Sequence, residues 1–324
     1  MRRAVLIGAA AIALMAVHAS AGAQDAGKDV HTLSRAAISR APADWPVFVA
    51  EQKGFFAREK LKVDNLYVSP ANITGSLIGG AFDVALVPAY QLVLSVQKGA
   101  GLVAVGQGLD PAPYFLMVPA SVKTFADLKG KTIAAATRGD VYTYVLRDVL
   151  RKGGIDPGKD VTFIYGNNSN QRMAALLNGA ISAGLQLPPE TGMLAARGFH
   201  SLAFFPDYYK RLTLSLIAVR RAWVATNSDR LRAYLRAIAA ANIWLDDPAN
   251  RQEATAILMK NTQTSETAAA EAYRVFVQEI GNYPKDACIQ PEGMAVLIAM
   301  LEQSGDVLGK PPVEKFIDRQ WCPK

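Results

Sequence analysis

The sequence predicts an α/β protein folded as two lobes. Three observations carry this reading. Short apolar runs alternate with short helical patterns from Thr32 to Gly106. A Gly- and Pro-rich break, GQGLDPAPY at 106–114, interrupts the alternation, which restarts at Phe115. After Leu212 the chain reads as one last apolar strand and then helix nearly to its end. Strands alternating with helical patterns imply βαβ units and two largely parallel sheets flanked by helices. Residues 24–112 and 213–324 are expected to form a discontinuous first lobe and residues 113–212 the second, with a ligand cleft between them.

The elements follow in order. Strands are expected at Thr32–Ile38, Leu61–Val68, Val84–Val87 and Leu102–Gly106. Helices are expected at Pro46–Lys53, Ile73–Gly80 and Tyr90–Gln97. Past the break, strands fall at Phe115–Val118, Lys131–Ala136, Val161–Tyr165, Ser182–Leu187 and Ser201–Phe205. Between them lie a helical turn at Phe125–Leu128 and helices at Val141–Lys152, Gln171–Asn178 and Glu190–Arg197. Leu214–Val219 is the last strand, and helices follow at Ser228–Leu245, Pro248–Lys260, Ser265–Ile280 and Pro291–Gln303. Asp247-Pro248 and Ser265 read as helix starts, with proline at the first helical position and serine as cap.

The first 23 residues read as a secretory leader rather than as fold. Arg2 and Arg3 precede an apolar run from Ala4 to Val17, and small residues end at Ala23, the favoured cleavage point. The run is shorter than the roughly 20 residues that span a bilayer. The remaining chain, about 300 residues, is ample for two lobes. Loss of Arg2 and Arg3 lowers the formal charge from +7 to +5, and the basic residues are scattered. That excludes a dedicated nucleic-acid surface and leaves a mild preference for anions. The expected compartment is the periplasm, and the expected state is a monomer.

Cys288 and Cys322 are the two cysteines. In an exported chain such a pair most simply forms a disulfide; two free thiols are the alternative. A metal is not expected, since no histidine lies near either cysteine. After the leader the chain keeps only His31 and His200, and it lacks the G-x-S-x-G, P-loop, H-E-x-x-H and G-x-G-x-x-G patterns. The reading is therefore a binding protein with no catalytic residues and no cofactor.

In open α/β sheets ligands gather at the carboxyl ends of strands, where helix N-termini present free N–H groups. Five turns qualify. In the first, Arg40 offers charge and Trp45 a wall, or else the loop is plain surface with Trp45 tucked onto the core. The second holds Asn72, which offers a contact or simply caps a helix. The third is Pro88-Ala89-Tyr90. The fourth, Thr137-Arg138-Gly139-Asp140-Val141-Tyr142, combines a glycine that permits close approach with a helix start suited to a carboxylate or sulfonate; the alternative is that Asp140 only caps the helix. The fifth joins Asn170, with Arg172 one step into its helix, to Pro188 and Glu190.

Four segments then carry a resemblance. PVFVAEQKGFFAREKLKV (46–63), GAFDVALV (80–87), FADLKGKTIA (125–134) and LRDVLRKGGIDPGKDV (146–161) are similar, in that order, to periplasmic substrate-binding proteins of the nitrate, sulfonate and taurine class, which includes thiamine-precursor-synthesis-like proteins. The resemblance implies the type II periplasmic binding fold. It also implies closure of two lobes on a small molecule, and delivery to an ABC transporter permease in the inner membrane. Arg40, Trp45, Tyr90, Arg138 and Tyr142 fit an organic anion, an aliphatic or aromatic sulfonate or carboxylate. The chain departs from the class in Ile181-Ser182-Ala183, where members carry a V-D-A step, and Glu190 sits awkwardly with a purely anionic ligand. The alternatives are a pyrimidine or thiamine-precursor protein of the same fold, and a ligand-sensing subunit for a membrane receptor. The synthetic branch of that family uses a cysteine-rich motif and lysine-bound pyridoxal phosphate, and this chain has no cysteine cluster.

Overall fold

The computed structural model describes residues 30–135, 140–165 and 169–323. The leader lies outside them. The strands are β1 (His31–Ala37), β2 (Leu61–Tyr67), β3 (Val84–Pro88), β4 (Leu102–Gln107), β5 (Phe115–Pro119), β6 (Lys131–Ala134), β7 (Val161–Ile164), β8 (Ala183–Gln186), β9 (Phe199–Phe204) and β10 (Ser215–Arg220). They form two sheets, ordered β2-β1-β3-β10-β4 and β7-β6-β8-β5-β9.

The helices of the first passage are α1 (Trp45–Gln52), α2 (Phe55–Arg58), α3 (Ile73–Ile78) and α4 (Ala89–Gln97). The second sheet carries α5 (Val141–Lys152), α6 (Ser169–Leu177), α7 (Glu190–Ala195) and α8 (Phe205–Tyr208). The return holds α9 (Arg221–Thr226), α10 (Ser228–Asp246), α11 (Arg251–Thr262), α12 (Glu266–Tyr273) and α13 (Pro291–Gln303). The start read at Pro248 is a 3-10 turn over Pro248–Asn250, capped by Asp247, that leads into α11. The single helix read at Ser265–Ile280 is α12, capped by Ser265, continued by a π-helical turn over Arg274–Glu279.

Each sheet is mostly parallel, with four strands running one way and a single strand against them. In the first, β10 runs antiparallel to β3 and β4; in the second, β5 runs antiparallel to β8 and β9. Each is the strand by which the chain enters a sheet after crossing from the other. The chain leaves β4 at its carboxyl end and enters β5 directly, so β5 must run back from that edge. The same holds for β10.

The crossing segments are tied together. Gly108 N donates to Ser215 O at 3.0 Å, and Leu214 N donates to Leu109 O at 2.8 Å. A Cβ at Gly108 would meet Ser215 Oγ at 2.4 Å, so only glycine allows this approach. Asp110 is wholly buried between them, and its Oδ1 accepts Leu212 N at 2.7 Å. Asn282 holds the outer side: its Oδ1 accepts Asp110 N at 2.9 Å and its Nδ2 donates to Pro111 O at 3.0 Å.

One face of the first sheet packs on α10, α11 and α12 through Leu33, Phe48, Val84, Ile217, Leu235 and Phe276. The sheet's β4 edge is covered. Phe316 O accepts Ala104 N at 2.9 Å, and Ala287 O accepts Gln107 N at 2.9 Å. A disulfide between Cys288 and Cys322 joins the two covering segments. An edge paired in this way is closed to other strands.

Inside this lobe Arg35 is almost fully buried on β1. Its Nη2 donates to Asp44 Oδ1 at 2.5 Å and its Nε to Tyr234 Oη at 3.1 Å. Burial alone works against the guanidinium charge; Asp44 and Tyr234 more than offset it and raise the pKa. A small cavity of about 20 Å³ lies beside the pair, lined in part by Gln107, Asn242 and Tyr283. Removing one partner of a buried pair strands the other charge, at a cost of about 3–5 kcal/mol, whereas replacing both by apolar groups costs little. Urea unfolding of Asp44→Ala is expected to show that loss, and Arg35→Met with Asp44→Leu a much smaller one. Equal losses in the two proteins contradict the pairing.

Candidate functional site

Both sheets present the carboxyl ends of their parallel strands to the crossing segments, and three helix starts lie there: α4 after β3, α5 after β6 and α7 after β8. The α5 start follows from its sequence. Val141, Tyr142, Val145, Leu146, Val149 and Leu150 are buried along one face, and Arg151 and Lys152 complement the dipole at the last turn. Asp140 caps the first turn by accepting Tyr142 N at 2.9 Å.

A polar, aromatic cluster fills this region. The rings of Tyr114 and Tyr142 lie 4.8 Å apart, and Phe205 flanks Tyr114 at 6.0 Å. Tyr142 Oη donates to Leu214 O at 2.9 Å, and the same carbonyl accepts Ala89 N at 3.1 Å. One backbone oxygen on the return segment thus joins the α4 start to α5. Tyr90 is partly buried, and Gln91 Nε2 donates to its hydroxyl at 3.2 Å. Gln91 also accepts Thr74 Oγ1 at 2.7 Å, which steadies the α3–α4 corner.

Acidic groups stand among the rings. Burial pushes the Asp140 carboxyl up to about 6; the Tyr142 N–H and the Arg172 charge pull it back. Burial likewise raises Glu190, against hydrogen bonds from its own backbone N–H and from Ser169 and the charge of Arg172. Tyr114 is raised first by burial and then by Asp140, Glu190 and Tyr90, with Arg172 opposing. Arg172 is buried on α6, and its Nε donates to Leu185 O at 2.8 Å. Ser169 Oγ donates to the buried Gln186 Oε1 at 2.9 Å.

Of the residues singled out in sequence, this brings together Pro88, Ala89, Tyr90, Asp140, Val141, Tyr142, Pro188 and Glu190, with Arg172. Thr137, Arg138 and Gly139 lie outside the described residues. Asn72 is exposed at the α3 start and makes no capping bond; Asn170 is exposed on α6. Arg40 is exposed, 5.1 Å above the Tyr67 ring and within 3.5 Å of Asn261.

Trp45 is a correction. It is fully buried, its Nε1 donates to Ala254 O at 3.0 Å, and its ring meets Tyr273 edge-on at 6.0 Å. Its neighbours are α11 and α12, so it is core and not a cleft wall. Ser169 belongs to the fifth candidate turn, whereas Tyr114 and Gln186 are not among the site residues read from sequence. Tyr114 ends the Gly- and Pro-rich break, and its place at the crossing was the available signal.

A raised carboxyl pKa means that the folded chain binds the proton more tightly than the unfolded one. Stability therefore falls as pH rises from about 4, the ordinary value, to about 6. Asp140→Asn keeps a good cap and is expected to flatten part of that fall in melting temperature. Asp110, also raised by burial to about 6, retains its own share. An unchanged slope in the variant places Asp140 in a less buried setting.

A family model described as NMT1/THI5 like matches residues 42–250. The binding protein YtlA of Bacillus subtilis is 23% identical over 86% of this chain and 85% of its own. The 4-amino-5-hydroxymethyl-2-methylpyrimidine phosphate synthase of Schizosaccharomyces pombe is 23% identical over 76% of this chain and 75% of its own. Among solved structures, the periplasmic aliphatic sulphonate binding protein SsuA of Escherichia coli superposes with a TM-score of 0.71 at 18% identity, covering 89% of this chain and 92% of that one. The periplasmic nitrate-binding protein NrtA of Synechocystis PCC 6803 gives 0.73 at 18% identity, covering 90% and 87%.

Proposed function

The chain belongs to the NMT1/THI5-like family, and from that premise we propose that it is the periplasmic solute-binding component of an ABC importer. It captures a small organic molecule between its lobes and delivers it to an inner-membrane permease. The two-lobed fold, shared with binding proteins of sulfonate and nitrate importers, supports this. No helix among the described residues is long and apolar enough to cross a membrane. The reading is of capture without chemistry. His31 and His200 sit near the amino ends of β1 and β9, at the sheet edges opposite the cluster.

One observation carries the ligand class: Asp140 and Glu190 stand among Tyr90, Tyr114 and Tyr142. Carboxylates in a poorly solvated cleft repel a small anion and attract hydrogen-bond donors. Tyrosine faces favour a flat ring. The occupant is therefore a planar, donor-bearing heterocycle of the aminopyrimidine kind. This agrees with the pyrimidine named for the yeast relative.

A second reading keeps an organic anion, a sulfonate or carboxylate. Arg172, buried beside the same carboxylates, favours it, and the turn at Thr137, Arg138 and Gly139 would contribute.

A thermal-shift panel at pH 7.5 separates the two. Stabilisation by aminopyrimidines, lost in Glu190→Ala, supports the first reading. Stabilisation by aryl or alkyl sulfonates, lost in Arg172→Ala, replaces it with the second.

A further inference from the structure

Glu271 belongs to α12, in the helical return of the chain, yet its carboxylate is directed at the second lobe. Oε1 accepts the Thr191 hydroxyl at 2.9 Å. The same carboxylate accepts the Gly192 backbone N–H. A Cβ on Gly192 would sit 1.9 Å from Oε2, so the Glu271 carboxylate lies this close to the α7 turn only with glycine there. Thr191 is buried in the contact. Burial pushes the Glu271 carboxyl above its ordinary value, and Thr191, Arg274 and the Gly192 N–H draw it back.

The residue before Thr191 is Glu190. The first turn of α7 thus presents one carboxylate to the cluster and takes a second from α12. Among the described residues, the side-chain links between the lobes include Tyr142 to the Leu214 carbonyl, and Tyr144 Oη to Asp306 Oδ2 at 2.6 Å. Both start from α5. The Glu271 contact differs in holding α7 itself, the helix that carries Glu190.

We propose that Glu271 is a positioning residue for the ligand site: it docks α7 on α12, fixes the turn that presents Glu190, and holds the lobes together without touching the ligand. The proposal rests on the reading of the interlobe cluster as the binding site. A carboxylate that accepts two donors across a lobe boundary favours the closed arrangement over any open one in which water takes its place. Glutamine keeps the acceptor oxygen, whereas alanine removes it. A Cβ at Gly192 displaces the Glu271 carboxylate from the α7 turn.

The test needs no ligand. Small-angle X-ray scattering on the full mature chain is compared for wild type, Glu271→Gln, Glu271→Ala and Gly192→Ala. Amide exchange of residues 190–195 is followed in parallel. Glu271→Ala and Gly192→Ala are expected to enlarge the radius of gyration and speed exchange in α7, with native circular dichroism. Glu271→Gln is expected to stay near wild type in both. Unchanged scattering and exchange in both disruptive variants overturn the proposal. So does equal opening by Glu271→Gln and Glu271→Ala, which would make the contact one of charge alone. Should Gly192→Ala fail to fold, exchange in Glu271→Ala decides. These results are read on unliganded protein, so they stand apart from failure of the ligand panel, which would strike the cleft reading itself.

Discussion

The crossing between the two sheets is organised on the buried carboxyl of Asp110. It lies where the chain leaves the first sheet, and it accepts the N–H of Leu212, where the chain comes back. Asn282 clamps the same point from the helical return. The two crossing segments therefore move as one strap. Two residues further along the return, the Leu214 carbonyl receives Ala89 N from one lobe and Tyr142 Oη from the other. The strap fixes where the starts of α4 and α5 can meet. Its cost is a carboxyl held out of water, which burial pushes up to about 6.

Element order was legible in the sequence because burial follows period. The run at Val84–Val87 is buried throughout, and α5 buries one stripe. The direction of β5 and β10 was not legible. It depends on which edge of a sheet the chain enters, and no local pattern records that. Trp45 was ambiguous for a similar reason: proline after tryptophan marks a helix start wherever it lies, and only the packing of α11 and α12 turns that start inward. Arg35 went unnoticed because a charged residue in a strand reads as a surface position. Its partners, Asp44 and Tyr234, are 9 and 199 residues away.

The candidate site was legible as a set of turns and not as a chemistry. Tyr90, Asp140, Tyr142 and Glu190, read from strand-to-helix turns, lie near one another in the fold. Their electrostatic character came from burial, which the sequence does not encode locally. Asp140 reads as an ordinary cap until burial in the folded chain raises its pKa. Arg40 lies on the surface and Trp45 in the core, so neither belongs to the cluster. Asp140 and Glu190 stand beside the tyrosines together with the buried Arg172.

On the proposed function, these tyrosines and carboxylates enclose one small organic molecule. Native mass spectrometry of the protein purified from its own cells without denaturation tests it most directly. A one-to-one adduct of small mass that yields a nitrogen heterocycle on release is the expected result. That adduct is absent when Tyr114 and Tyr142 are both replaced by alanine in a chain that still folds. An adduct that persists unchanged in the double variant, or a released sulfonate in place of the heterocycle, contradicts it.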